Sequence, residues 1–248
     1  MVPDWGGARL ASGVRALVTT RDCPDGCSAA PYARFNLAQH VGDDPAAVAA
    51  NRRHLRRLLP SEPLWLDQVH GTQVVAVETS AQGVVTVADA SFARTPGLVC
   101  AVLTADCLPL LLCAADGSVV AAAHAGWRGL AGGVIESTVA AMALPGANLV
   151  AWLGPAIGPT AFEVGDEVRA AFCRHDPRAA EAFVAHGGRD SGKWLCDLVM
   201  LARQRLAALG VARVSGGGLC TFNEPQRFYS YRRDGVTGRM ATLIWREI

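Results

Sequence analysis

The sequence predicts a mixed α/β fold of the α+β kind, with short strands and helices around one core. Three observations carry this. Two apolar runs joined by Asp116-Gly117 at the centre of the chain form a hairpin signal. Further apolar runs of strand length recur on both sides of it, and amphipathic helical periods with caps lie between them.

The hairpin arms are 108–113 and 119–123. With Asp116-Gly117 as the central pair, Cys107 and His124 are diagonal neighbours. With the turn one residue earlier they stand directly opposite. Both arrangements put the two side chains on one face, because strand side chains alternate with period two. A one-residue slip between them would separate the pair, so the turn decides the matter. Continuous apolar character in both arms predicts that both faces are covered. A thiol and an imidazole converging at the rim of a dry sheet make half of a zinc site. The plainer alternative is a buried cysteine beside a satisfied histidine.

In chain order, 14–21 reads as a strand that runs into a turn at 22–28. The Cys23-Pro24-Asp25-Gly26-Cys27 spacing is neither a redox nor a zinc-knuckle motif, and reads as a plain turn with two thiols. Asp44 followed by Pro45 starts a helix, with Asp as cap and Pro where a missing N–H costs nothing. Val48, Leu55, Leu58 and Leu59 form its buried stripe. Arg52, Arg53, Arg56 and Arg57 form a solvated face, and His54 is read as a surface residue. Residues 64–77 read as two strands broken at His70-Gly71-Thr72, and 97–103 as another.

After His124 the chain leaves the strand through Gly126-Trp127-Arg128-Gly129. A helix follows, with Val134, Ile135, Val139 and Met142 as its core side. The glycines spell neither a dinucleotide nor a P-loop fingerprint, yet such a turn can still bind an anion. Residues 149–153 form a strand ending in the rigid loop Gly154-Pro155-Ala156-Ile157-Gly158-Pro159. Helices follow from Asp166 and from Pro177. His186 is read as exposed loop material. Residues 195–209 have a helical period closed by Gly210, and 211–215 and 238–245 read as strands. Between these, 227–235 alternates rings and arginines, which reads as an edge strand with solvated charges or as a phosphate clamp beside aromatics.

Hydrophobic residues are 51% of the 248 and charged residues 18%, which describes a globular chain. Lys plus Arg number 23 against 22 Asp plus Glu, so no general attraction to nucleic acid or acidic membrane is expected. The chain has no apolar run of spanning length and no signal-like start, so a soluble cytoplasmic protein is expected. The eight cysteines, scattered through apolar segments, suit a reducing compartment. No linker or internal repeat divides the chain, so 1–248 is read as one domain.

His70, Cys107 and His124 stand at strand ends. Together they give zinc three protein ligands and leave the fourth position open, as catalytic sites require, and zinc lowers the pKa of bound water toward about 7. Asp106 can orient a ligand or move a proton. A competing scheme makes Cys107 a nucleophile activated by His124.

These residues lie in motifs that resemble the YfiH/YlmD family, also called laccase-domain or polyphenol oxidase proteins and linked to peptidoglycan editing. The resemblance rests on D-Q-V-H-G (67–71), T-A-D-C-L-P (104–109) and H-A-G-W-R-G (124–129). P-Y-A-R-F-N-L (31–37), H-V-G-D-D-P (40–45), G-P-A-I-G-P (154–159), F-Y-S-Y-R-R (228–233) and G-R-M-A (238–241) extend it over nearly the whole chain. It implies one layered domain of mixed sheets flanked by helices, and zinc at His70, Cys107 and His124. It further implies phosphorolysis of purine nucleosides (adenosine, inosine, guanosine, methylthioadenosine) together with adenosine deamination. Asn36, Gln68, Asp106, Arg128 and Arg232 would then lie near substrate or phosphate. The turn at 23–27 and Arg34 depart from the family pattern near the expected pocket mouth.

The rival readings are an amidase editing cell-wall precursors, a cysteine hydrolase, and a non-catalytic metal-binding protein. A multicopper laccase needs many imidazoles, whereas this chain has six histidines and no H-x-H. Copper is expected only as an adventitious or alternative metal. The expected partners are a nucleoside and phosphate; a monomer is compatible with the sequence, which does not specify the oligomeric state.

Overall fold

The computed structural model describes residues 1–6, 13–78, 86–188 and 191–247. The first half runs β1 (Val14–Val18), α1 (Pro45–Arg56), β2 (Leu66–Asp67), β3 (Val74–Ala76), β4 (Thr86–Val87), β5 (Ala90–Ala93) and β6 (Val99–Thr104). The hairpin β7 (Leu108–Ala114) and β8 (Val120–Ala125) leads into α2 (Trp127–Gly132), α3 (Val134–Met142) and β9 (Leu149–Leu153). Next come β10 (Glu163–Gly165), α4 (Asp166–Cys173), β11 (Phe183–His186), β12 (Lys193–Cys196) and α5 (Leu198–Ala208). The chain closes with β13 (Arg213–Gly216), α6 (Tyr231–Asp234) and β14 (Met240–Arg246). This is the mixed α+β arrangement the sequence predicts.

The strands form a six-stranded sheet in the order β13-β9-β7-β8-β5-β3, two three-stranded sheets (β1-β14-β6 and β10-β12-β11) and the pair β2-β4. Period-two alternation builds the layers. Leu110 and Leu112 of β7 face the core shared with α3 and α5, while Leu111 and Cys113 face the other way, toward Cys100 and Val102 of β6. On the far side of β6, Val99, Ala101 and Leu103 pack against Leu55 of α1 and Phe35. The hairpin is thus covered on both faces, as its apolar arms require.

The register follows the turn. Leu108 pairs with Ala125 and Pro109 with His124, which is the alignment centred on Asp116-Gly117. The Gly117 φ of 75° and the bond from Gly117 N to Ala114 O close that turn. Cys107 and His124 are therefore diagonal neighbours on one face.

Asp44 caps α1 by accepting from the Ala46 amide, with Pro45 in the first turn. Five expectations are corrected, and one of them is His186, which is not loop material but ends β11, paired with Lys193 of β12. Leu58 is 61% exposed, because α1 ends at Arg56 and the chain turns there. Arg52 does not lie in solvent: it stacks on Trp65 at 4.2 Å and donates to Leu37 O. The helix expected from 195 begins at Leu198, where Asp197 caps it, and the preceding residues pair as β12. Residues 227–235 are not an edge strand. Phe228 and Tyr229 are fully buried, Ser230 caps α6, and Arg233 donates to the carbonyls of Thr221, Phe222 and Phe228.

Candidate metal centre and adjoining cleft

One ligand atom each of His70, Cys107 and His124 lies within 4.8 Å of the others, so the three predicted donors converge. Three different segments deliver them. Cys107 immediately precedes β7 and His124 sits in β8, on the face that looks toward β6. His70 arrives from the loop after β2 in a left-handed conformation, φ 59°, with its ring 4.7 Å from that of His124.

Asp89 explains why His70 takes this uncommon backbone state. Its carboxylate accepts the amides of Val69, His70 and Gly71 at 3.3, 2.9 and 2.6 Å, which folds the loop around one buried anion. The same carboxylate lies 2.8 Å from His124 Nδ1, so that nitrogen donates and Nε2 remains for a metal. Burial works against its charge, but the hydrogen bonds from His124 and the loop amides outweigh it and hold the carboxyl below its ordinary range. Sequence pattern alone does not single out Asp89. The only signal was an acid between two alanines at the start of an apolar strand.

Gly126 completes the centre. A Cβ there would lie 2.7 Å from His70 Nδ1 and 3.0 Å from Cys107 Sγ, so the close approach of the donors requires glycine. Burial also opposes ionisation of Cys107, yet the charge and hydrogen bonds of His124, with those of His70, lower its pKa to about 6. For His124, burial disfavours the charged form, while Cys107 and Asp89 outweigh it and raise the pKa to about 9. One soft sulfur and two ring nitrogens, with a carboxylate behind one imidazole and a glycine cradle, fit a zinc-class ion.

Cys107 also lines an open cleft of about 130 Å³, together with Asp106, Trp127, Ile157, Phe162, Leu198, Tyr231 and Arg232. Arg232 stacks near Phe162 at 5.4 Å and donates to Glu163 O. Arg128 is exposed over Trp127 at 4.4 Å and makes no ion pair among the described residues.

Of the remaining predicted site residues, Asp106 is part of the cleft wall, while Asn36 and Gln68 are not among its lining residues. Asp106, with φ 87°, accepts from Thr221 Oγ1 and from the Arg232 amide, both at 2.6 Å. Asn36 has no exposed surface: its amide meets Ala38, Asp43 and the Arg239 N–H. Gln68 both donates to and accepts from the backbone of Leu103. Arg239, absent from the predicted set, is half-buried with its guanidinium on the carbonyls of Thr237 and Gly238. Burial lowers its pKa against the pull of Cys107 and Asp106. Neither residues 23–27 nor Arg34 are among the residues that line the cleft.

A family model described as "Multi-copper polyphenol oxidoreductase laccase" matches residues 15–247. The chain is 52% identical to purine nucleoside phosphorylase PA4543 of Pseudomonas aeruginosa, over 99% of this chain and 97% of that one. It is 51% identical to purine nucleoside phosphorylase YfiH of Escherichia coli K12, over 99% and 98%. The crystal structure of Neisseria meningitidis protein NMB0706 superposes with a TM-score of 0.93 at 49% identity, covering 100% of this chain and 99% of that one. With sequence and fold matched along nearly its whole length, the chain belongs to this laccase-domain family, that of the YfiH and YlmD proteins.

Proposed function

We propose that this protein is a zinc-dependent purine nucleoside phosphorylase that also deaminates adenosine, acting at the cleft walled by Cys107. The observation that carries the reading is that the three-donor cluster and the aromatic cleft share this residue. Relatives named purine nucleoside phosphorylase, matched over nearly their full length, support the phosphorolytic part.

In phosphorolysis the bond from C1′ to the base breaks and a bond from C1′ to a phosphate oxygen forms, giving free base and ribose 1-phosphate. The flat faces of Trp127, Phe162 and Tyr231 suit a purine. Arg232 lines the cleft and Arg128 stacks on Trp127 of its wall, and this positive charge suits the phosphate. His70, Cys107 and His124 would hold the zinc ion, which when bound would supply a Lewis acid to the cleft.

The rest of the work is positional. Asp89 fixes the His124 tautomer and the His70 loop, and Gln68 ties that loop to the end of β6. Asp106 holds the Arg232 backbone, and Asn36 that of Arg239. Zinc suits the cluster better than a copper assembly does, because the other histidines, His40, His54, His175 and His186, lie outside it.

The test is incubation of metal-quantified protein with adenosine and phosphate, scored for adenine, inosine and ribose 1-phosphate, beside Cys107→Ala. Zinc-replete protein that forms none of these products refutes the reading, and an unaffected variant refutes the site. A cell-wall precursor peptide run in parallel detects an amidase by the amino acid it releases.

A further inference from the structure

Outside this centre, the turn that follows β1 meets α1 in a second group of donors. One ligand atom each of Cys23, Asp25 and His54 lies within 4.8 Å of the others, with His54 Nε2 3.8 Å from Asp25 Oδ2. We propose that these three residues form a second metal site, for a divalent cation of zinc's class, which clamps the turn onto α1.

Three independent features bring the donors together without a metal. The turn closes on itself through the bond from Gly26 N to Cys23 O. It is pressed against the neighbouring strand of chain, since a Cβ at Gly26 would lie 2.6 Å from the Arg34 carbonyl carbon. It is also pinned to the helix: Asn51, fully buried, accepts the Cys27 amide and donates to Ser28 Oγ. His54 lies three residues beyond Asn51 and so shares its helix face. The anchor that holds the turn therefore also sets the register of Cys23 and Asp25 over the imidazole.

The surroundings suit a bound cation. Phe35 meets the His54 ring edge-on at 5.7 Å, and Cys23 packs against the same apolar cluster, which gives the site a dry floor. Asp25 is 71% exposed, so the fourth position opens to water. Tetrahedral zinc with bonds of about 2.0–2.3 Å needs donors about 3.3–3.8 Å apart. The His54 to Asp25 separation of 3.8 Å stands a few tenths of an ångström above what a nitrogen–oxygen pair needs, and the exposed carboxylate and the thiol can close the remainder by side-chain rotation. A thiolate, an imidazole and one carboxylate select a zinc-class ion over calcium or magnesium, which need more oxygen ligands.

The experiment uses cobalt(II) as a spectroscopic substitute in metal-stripped, reduced full-length protein. Cys107→Ala removes the thiolate of the first centre, so any thiolate-to-cobalt charge-transfer band in that variant reports a second thiolate site. The proposal expects this band at one equivalent. It should be lost in Cys107→Ala/Cys23→Ser and retained in Cys107→Ala/Cys27→Ser. Asp25→Asn, an exposed change that leaves the fold intact, should weaken cobalt binding at least tenfold. No band in Cys107→Ala, or a band that survives Cys23→Ser, overturns the proposal. The readout is independent of enzymatic activity, so it stands or falls separately from the phosphorylase reading.

Discussion

Asp89 Oδ1 lies 2.8 Å from His124 Nδ1, and the same carboxylate carries the amides of the His70 loop. Two of the three donors thus answer to one buried anion that touches no metal itself. Asp89→Asn keeps the shape, but its NH2 group must face an N–H donor. Zinc affinity should fall about 10–100-fold, and the metal-free protein should lose about 1–3 kcal/mol of stability. Competition with a chromophoric chelator and thermal melting of the stripped protein measure the two. Unchanged affinity would show that the carboxylate only supports the fold.

Gly126→Ala separates cradle from backbone. The Gly126 φ of −62° and ψ of 158° are open to alanine, so the only penalty is the new methyl against His70 Nδ1 and Cys107 Sγ. His70 is exposed and can yield, which keeps the fold but displaces a donor. The expected result is a near-normal melting temperature of the stripped protein with kcat/KM for adenosine phosphorolysis down about a hundredfold. A variant with wild-type turnover would mean that the donors need not come this close.

The hairpin register and the same-face placement of Cys107 and His124 were legible because turn chemistry and period two are local rules. Asn36 and Gln68 show where such rules stop. As side chains they resemble pocket groups, yet both satisfy backbone N–H and C=O groups that become neighbours only when distant segments fold together. Residues 227–235 failed for the same reason. Their alternation suggested an edge strand, but the Arg232 amide finds Asp106, which is 126 residues away, instead of a ladder partner. Asp89 was equally hidden, since its four donors come from two other segments.

The Cys107 and His124 values fix a pH window for the metal-free protein. A thiol lowered to about 6 and an imidazole raised to about 9 coexist as thiolate and imidazolium between those limits. The stabilisation from the thiolate is lost as pH falls through about 6, and that from the imidazolium as pH rises through about 9. In chelator-treated protein, iodoacetamide should therefore modify Cys107 with a rate midpoint near pH 6. Cys100, Cys113 and Cys196, pushed up to about 12 by burial, should stay unmodified. Peptide mass spectrometry across pH reads both, and His124→Gln should move the Cys107 midpoint upward. A midpoint in the ordinary thiol range, near 8.5, would contradict the ion pair.

Asp106 offers a choice between proton transfer and positioning. Both of its oxygens are engaged, one by the Thr221 hydroxyl and one by the Arg232 amide, which leaves it poorly placed to exchange a proton with substrate. Asparagine tolerates the left-handed conformation at 106 better than most residues, so Asp106→Asn tests the charge and not the backbone. Its Oδ1 can still accept from Thr221, but its NH2 would oppose the Arg232 N–H and push that segment away from the cleft. The expected result is a raised KM for phosphate, a smaller loss in kcat and an unaltered pH profile. If Asp106 were the general acid or base, the variant would instead lose one limb of the kcat profile while KM stayed put. The two outcomes assign the residue without recourse to its position in the motif.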